Sequence, residues 1–90
     1  EAYNMLVAPH NCGSALATAA SLQLCASITN VMTLEIYPYF PERPGYVQLL
    51  ENPPEERIRD GFLEVLQDPG LGALLAHDRA APFLWASCTR

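Results

Sequence analysis

The stretch that decides the fold is Met5-Leu-Val-Ala-Pro-His10, which is followed, after a helix-forming run, by Val31-Met-Thr-Leu-Glu35. The predicted strands span residues 5–8 and 31–36, and both are short and largely apolar, which is typical of strands buried on both faces of a sheet. Two strands joined by one crossover helix run parallel and are usually neighbours, so their carboxyl ends meet at one edge. We therefore expect His10 and Glu35 to converge at that edge, where barrels and open α/β sheets carry their active sites.

The segment between the two predicted strands is rich in alanine and free of glycine and proline from Ala15 to Ser27. Its helix propensity is therefore high, and Ser14 is predicted to cap the free amides of its first turn. We expect a stripe with i, i+4 spacing to face the sheet. It consists of Leu16, Ala20, Leu24 and Ile28.

The character of the chain changes after Tyr37, so we divide it into residues 1–37, 38–75 and 76–90. The middle part is predicted to be an extended segment that travels over a surface, because it is rich in proline. Within it, Asp60-Gly61 between alternating apolar positions predicts a hairpin over residues 57–65, and residues 68–72 predict another turn. The sequence beyond residue 72 has no strong period, and we expect a loose C-terminal tail.

The charge balance argues against a nucleic-acid partner. The formal net charge is −5, from ten acidic residues against five basic ones, and all the basic residues are arginines. An acidic chain without a basic patch is a poor ligand for phosphate backbones. No run approaches the roughly 18 apolar residues of a transmembrane helix, so we expect no membrane partner either.

The cysteines indicate a cellular compartment, and the small number of predicted strands indicates that the chain is part of a longer protein. The three cysteines, Cys12, Cys25 and Cys88, have no paired metal spacing and fit reduced thiols in a cytoplasmic protein. Two parallel strands and one helix leave faces and edges of a sheet uncovered. Since the chain also begins at Glu1 without a methionine, we expect it to be the C-terminal portion of a longer protein.

His10 and Glu35 are the first candidates for chemistry. A histidine at the end of a strand can exchange a proton near neutral pH, although it can also bond only to neighbouring backbone. Glu35 lies in an apolar strand, so its carboxylate needs a hydrogen-bond partner, a metal or a raised pKa. A protonated or strongly hydrogen-bonded glutamate could donate to a developing oxyanion, whereas the alternative is an ion pair with an arginine elsewhere in the fold.

The loop after His10 and the residues after Glu35 supply candidates for substrate binding. Asn11, Cys12 and Ser14 could bond a substrate hydroxyl or carboxylate, or could only cap the helix. Cys12 would need a lowered pKa to act as a nucleophile. Aromatic residues can form the pocket wall or pack against a neighbouring domain; they are Tyr37, Tyr39 and Phe40. His77 is predicted to be a surface residue.

Two motifs carry a resemblance to a known family, Val7-Ala-Pro-His-Asn-Cys-Gly-Ser14 and Asp68-Pro-Gly-Leu-Gly72. Together with Leu34-Glu35 they resemble the mandelate racemase and muconate lactonizing enzyme branch of the enolase superfamily. The Pro-His-Asn form is most similar to acid-sugar dehydratases such as galactonate dehydratase. The resemblance implies a modified (β/α) barrel, an α/β fold of which this chain supplies the seventh strand, seventh helix and eighth strand. A segment that returns to the capping domain would follow.

The resemblance also implies the chemistry. Enzymes of this branch hold Mg²⁺ on carboxylates of the third, fourth and fifth strands, so no metal ligand is expected in this chain. His10 matches the seventh-strand acid/base, which in a dehydratase protonates the departing β-hydroxyl. Glu35 matches the eighth-strand glutamate that hydrogen-bonds the substrate carboxylate. Asn11, Cys12 and Tyr37 are the expected substrate-binding residues.

The expected substrate is a small sugar acid or another carboxylate, and the whole protein is expected to be a homo-oligomer. A racemase or epimerase of the same branch is one alternative, and a non-catalytic fragment is another. The metal-binding strands and the sixth-strand aspartate that partners the histidine are absent from these 90 residues. We therefore do not expect this polypeptide alone to catalyse the reaction.

Overall fold

The computed structural model describes residues 3–37 and 42–85, and its longest element is helix α1, Ala15–Ser27. These are the bounds that the alanine-rich run predicts. Ser14 is the N-cap residue, but its hydroxyl makes no capping hydrogen bond, so the predicted cap is wrong. The backbone N–H of Ala15 instead donates to the carbonyl oxygen of Tyr46 at 3.4 Å, which satisfies a free amide of the first turn.

The two segments that flank α1 lie side by side and run parallel, as the crossover rule predicts. Their one bridge joins Val7 and Val31. The carbonyl oxygen of Val7 accepts the N–H of Met32 at 2.8 Å, and further along the carbonyl oxygen of Pro9 accepts the N–H of Glu35 at 3.4 Å. This register places the ends of both segments at the same edge.

The prediction of two regular strands over 5–8 and 31–36 is nevertheless wrong, since no part of the described chain forms more than an isolated bridge. Pro9 has no N–H to continue the ladder. Each segment also pairs with only one neighbour among the described residues, and a lone pair of strands is marginal.

Helix α1 buries a different face from the predicted one. Its buried residues are Ala15, Thr18, Ala19 and Leu22. Leu16 and Leu24 of the predicted stripe are 41% and 51% exposed. The buried face packs against Tyr46, Leu50 and Leu66 from the later part of the chain, with Leu34 at its border. An alanine-rich helix is apolar on several sides, so the large side chains that it meets decide which side is buried.

The later part of the chain is built from short elements. Single-turn 3-10 helices span Val47–Leu49 and Pro54–Arg57. Asp60 and Gly61 have positive φ angles of 52° and 80° and form the tight turn that the sequence predicts. The hairpin arms predicted over 57–65 are reduced to one antiparallel bridge between Arg59 and Phe62.

The C-terminal region is not the loose tail that we expected, as far as residue 85. It contains a one-turn helix α2, His77–Ala80, and a 3-10 helix, Ala81–Phe83. Leu50 and Leu75 form an antiparallel bridge. The guanidinium of Arg79 donates to the carbonyl oxygen of Leu50 at 2.8 Å and to Glu51 Oε2 at 3.0 Å. The hydrogen bonds of Arg79 hold this region against the rest of the chain. Such contacts leave no periodic pattern in the sequence, so the sequence does not predict them.

The molecule is flat, with apolar side chains open to solvent. Its radius of gyration is 14.4 Å, against roughly 12 Å for a compact domain of this length. Met5, Met32 and Phe62 are 68%, 63% and 78% exposed, in line with the expected uncovered faces. Across the described residues, no helix has the length and apolarity needed to cross a membrane. Tyr39, Phe40 and Cys88 lie outside the described residues.

Candidate active site

The candidate site is centred on His10 and Glu35, which the parallel register brings together. His10 Nδ1 lies 2.6 Å from Glu35 Oε2, and the two side chains are 80% and 45% exposed. A contact of this length between imidazole and carboxylate is a charge-assisted hydrogen bond when the ring is protonated. The structure thus gives the histidine a carboxylate partner at an open edge, where a small molecule can reach it.

Glu35 is held by three consecutive residues of the loop. Besides the contact with His10, its Oε2 accepts the backbone N–H of Asn11 at 2.8 Å. The thiol of Cys12 donates to its Oε1 at 3.8 Å. The Asn11 N–H is the main reason that the pKa of Glu35 lies below its ordinary value; partial desolvation opposes this, and His10 and Cys12 support it.

The lowered pKa corrects one hypothesis about Glu35. The hypothesis that the pKa of Glu35 is raised is wrong, because a carboxylate that accepts several hydrogen bonds is stabilised in its charged form. Its ion-pair partner in the described chain is His10 and not an arginine. Glu35 is therefore an ionised acceptor, and donating a hydrogen bond to a substrate would require it to gain a proton first.

The side chain of Asn11 connects the loop after His10 to helix α1. Asn11 is 3% exposed, and its Nδ2 donates to Thr18 Oγ1 on α1 at 2.9 Å. Thr18 has no exposed surface. The structure therefore directs Asn11 towards the helix, where it fixes the path of the loop, and its binding to a substrate stays a prediction.

Cys12 and Tyr37 border two open cavities. Cys12 is an exposed free thiol. A cavity of about 300 Å³ is lined by residues 12–14 and 43–46. Tyr37 lines a second cavity of about 500 Å³, together with Glu42, Arg43 and Pro44. Both predicted binding residues thus line cavities that a small molecule could enter, and their roles stay predictions.

Arg43 is a candidate that the sequence reasoning missed. It lines both cavities, and its guanidinium lies 5.3 Å from the centre of the Tyr37 ring. The Tyr37 ring in turn lies 5.9 Å from that of Tyr46. Guanidinium groups recognise carboxylates well, so Arg43 is a cation that could receive an acidic ligand. Arg43 lies in a proline-rich segment, where no periodic pattern indicates which side chains face a site. The one signal in the sequence is that the chain has no lysine, so arginines supply its permanent positive charges.

The residues present do not fit a magnesium site. Within residues 3–37 and 42–85, one cluster of at least three potential metal ligands occurs, formed by His10, Cys12 and Glu35. Mg²⁺ prefers octahedral sets of oxygen ligands. A set of one nitrogen, one sulfur and one carboxylate suits other ions.

Comparison with known proteins agrees with the resemblance carried by the motifs. Residues 1–79 match a family described as enolase C-terminal domain-like. The chain is 36% identical over 76 residues to a D-xylonate dehydratase of Haloferax volcanii, covering 84% of this chain and 18% of that protein. It is also similar to a crystal structure of a provisionally named dehydratase from Mesorhizobium loti, with 56% identity and a TM-score of 0.86.

The match to the Mesorhizobium structure covers 98% of this chain and 23% of that chain. The chain thus spans about a fifth of the length of these two relatives. The similarity to acid-sugar dehydratases, drawn first from the Pro-His-Asn loop, is confirmed.

Proposed function

Because the chain belongs to the enolase C-terminal domain-like family, we propose that it is the C-terminal portion of an acid-sugar dehydratase. The reaction removes the proton α to a carboxylate and expels the β-hydroxyl as water. The observation that carries the proposal is the 2.6 Å contact between His10 and Glu35 at the shared edge of two parallel segments. Two relatives with dehydratase names support the choice of reaction.

In this proposal His10 is the general acid. Its Nδ1 is held by Glu35, so the proton is delivered from Nε2. The bond between the β-carbon and its oxygen breaks, and the oxygen leaves as water with that proton. A base outside this chain accepts the α-proton, and the electron pair of the former Cα–H bond forms the double bond of an enol, which tautomerises to a 2-keto acid. General acid catalysis of such a step contributes about 10²- to 10⁴-fold.

Glu35 and Arg43 are assigned to the substrate's carboxylate end. Glu35 is ionised and its Oε2 contacts His10, so it donates a hydrogen bond to a substrate carboxylate only after it gains a proton from solvent or from the substrate. Arg43 offers a permanent positive charge beside Tyr37. Cys12 and Tyr37 form the cavity walls, and Asn11 positions the loop.

The remaining parts of the enzyme are proposed to lie outside this chain. Enzymes of the superfamily generally use Mg²⁺, and since the residues described here do not fit that ion, we assign its ligands to the part of the longer relatives that this chain does not cover. We also propose that the whole protein is cytoplasmic, since Cys12 and Cys25 are free thiols, and that it is a homo-oligomer.

A chimera tests the proposal. The segment of the Mesorhizobium protein that matches this chain is replaced by the chain itself, and the product is screened with sugar acids for a 2-keto acid, trapped as its semicarbazone. We expect turnover, and we expect His10→Asn to lower it by about 10²- to 10⁴-fold. His77→Asn, in an exposed residue of α2, is the matched control and should leave turnover unchanged.

Other results would point elsewhere. Near-normal turnover in the His10→Asn chimera would sink the assignment of the general acid. Exchange of the α-hydrogen with solvent deuterium, without loss of the hydroxyl, would indicate a racemase or epimerase. A folded chimera that neither dehydrates nor exchanges any acid would indicate that this chain is a non-catalytic relative.

A further inference from the structure

We propose that His10, Cys12 and Glu35 form a binding site for a thiophilic divalent cation of the Zn²⁺ type. Their ligand atoms are a ring nitrogen, a thiol sulfur and a carboxylate oxygen, and all lie within 4.8 Å of one another. Zinc takes all three kinds of ligand, and its reactive sites commonly have three protein ligands and one open position. Magnesium and calcium require oxygen instead.

The contacts within the cluster are close to those of a tetrahedral site. With bond lengths of about 2.0–2.3 Å, neighbouring ligand atoms around zinc are roughly 3.3–3.5 Å apart. The observed contacts end on the two different oxygens of the Glu35 carboxylate: His10 Nδ1 lies 2.6 Å from Oε2, and Cys12 Sγ lies 3.8 Å from Oε1. One of these oxygens would serve as the ligand, so the three side chains would have to move by about 1 Å or more to reach the spacing around zinc, and all three are exposed and able to do so.

The backbone already holds the ligands in place. His10 and Cys12 flank Asn11, whose side chain is bonded to the buried Thr18. The N–H of Asn11 fixes Glu35 opposite the loop at 2.8 Å. A cation bound here would clip the loop to the second parallel segment without having to order either of them, which favours binding.

The charges and exposure of the three residues also suit a cation. Glu35 and a deprotonated Cys12 together balance two positive charges, and Cys12 would release its proton to solvent as the metal binds. All three side chains are exposed, so an ion from solution can reach them.

Bound metal would occupy Nδ1 of His10 and displace its contact with Glu35. The site would therefore inhibit any chemistry that uses this pair. This inference goes beyond the proposed function and does not depend on it, because metal binding is measured on the chain itself.

Cobalt(II) is the probe for this site. We expect the reduced 90-residue chain, handled without oxygen, to bind one equivalent of Co²⁺ with a sulfur-to-cobalt charge-transfer band. Zn²⁺ should displace the Co²⁺ and Mg²⁺ should not. Cys12→Ser should abolish the band. His10→Asn should weaken binding by at least about tenfold, since even the loss of a supporting group around a metal costs this much.

The matched control is Cys25→Ser, in a thiol that lies on α1 away from the cluster. It should retain the band and the affinity. Far-UV circular dichroism checks that each variant keeps α1, and Cys12→Ala serves as a second variant. The proposal is overturned by wild-type chain that gives no band, by a band that survives in both Cys12 variants, or by a band lost in Cys25→Ser. Unchanged affinity in His10→Asn would also overturn it.

Discussion

Asn11 Nδ2 donates a 2.9 Å hydrogen bond to Thr18 Oγ1, and both residues are buried. The same asparagine donates its backbone N–H to Glu35 at 2.8 Å. One residue therefore joins the candidate site to the first turns of α1. This connection explains how the loop can hold its shape although the segments beside it pair at a single bridge.

Replacing Thr18 by valine keeps the shape of the side chain and removes the acceptor. The buried amide of Asn11 then loses its acceptor, and Tyr46 loses its hydrogen bond with Thr18, so we expect the free energy of unfolding to fall by about 1–3 kcal/mol. Thr18→Ser retains the hydroxyl and should cost only about 1 kcal/mol for the lost methyl group. Urea unfolding compares the two variants. Equal losses in both would contradict a stabilising role for the Thr18 hydroxyl.

A second pair of variants tests which face of α1 is buried. Leu22 is 5% exposed and packs near Leu66, whereas Leu24, two residues along the same helix, is 51% exposed. Leu22→Ala should lower the free energy of unfolding by about 2–5 kcal/mol. Leu24→Ala should change it by less than about 1 kcal/mol. Urea unfolding measures both variants. A larger loss for Leu24→Ala than for Leu22→Ala would indicate that the face predicted from the i, i+4 stripe is the buried one.

The features that the sequence predicts correctly depend on local or topological rules. The bounds of α1 follow from alanine content, because propensity acts within the segment itself. The meeting of His10 and Glu35 follows from the crossover rule, which requires no knowledge of side-chain packing. The turn at Asp60-Gly61 follows from the tolerance of these residues for positive φ angles.

The features that the sequence does not predict depend on what each group meets in the folded chain. The charge state of Glu35 follows from the Asn11 N–H, whose direction is set by the loop after Pro9. The hydroxyl of Ser14 makes no capping bond, while the carbonyl of Tyr46 accepts from the first turn across a long sequence separation. These contacts become apparent only once the later part of the chain is placed against α1.

Gly72 is predicted to be far less replaceable than Gly70. Both have positive φ angles, 71° and 73°, so alanine at either position should cost about 1–2 kcal/mol for the backbone conformation alone. A Cβ at Gly72 would also lie 2.3 Å from Leu66 Cβ, whereas at Gly70 it would meet open space. Gly72→Ala should therefore lower the free energy of unfolding by about 1–3 kcal/mol more than Gly70→Ala does. Equal melting temperatures for the two variants would contradict the close packing of Gly72 on Leu66.

The last prediction concerns Tyr46 at alkaline pH. Burial raises the pKa of Tyr46 above its ordinary value of 10.0, and the charge of Glu55 adds to this, although a hydrogen bond with Thr18 opposes it. Above about pH 10 the unfolded chain therefore loses this phenol proton before the folded chain does. The free energy of unfolding should fall as the pH rises from there to the pKa of the folded state, and be constant beyond it.

Tyr46→Phe should reduce this alkaline loss, and Tyr3→Phe, in a residue that is 86% exposed, is the matched control that should retain it. The chain has no lysine to titrate in the same range, and its three cysteines are present in every variant, so a difference in slope between variants reports the tyrosine that is replaced. Urea unfolding between about pH 9 and pH 11 measures the slope for each variant. A slope that is the same in Tyr46→Phe as in the unchanged chain would mean that the phenol of Tyr46 is not held neutral by its burial.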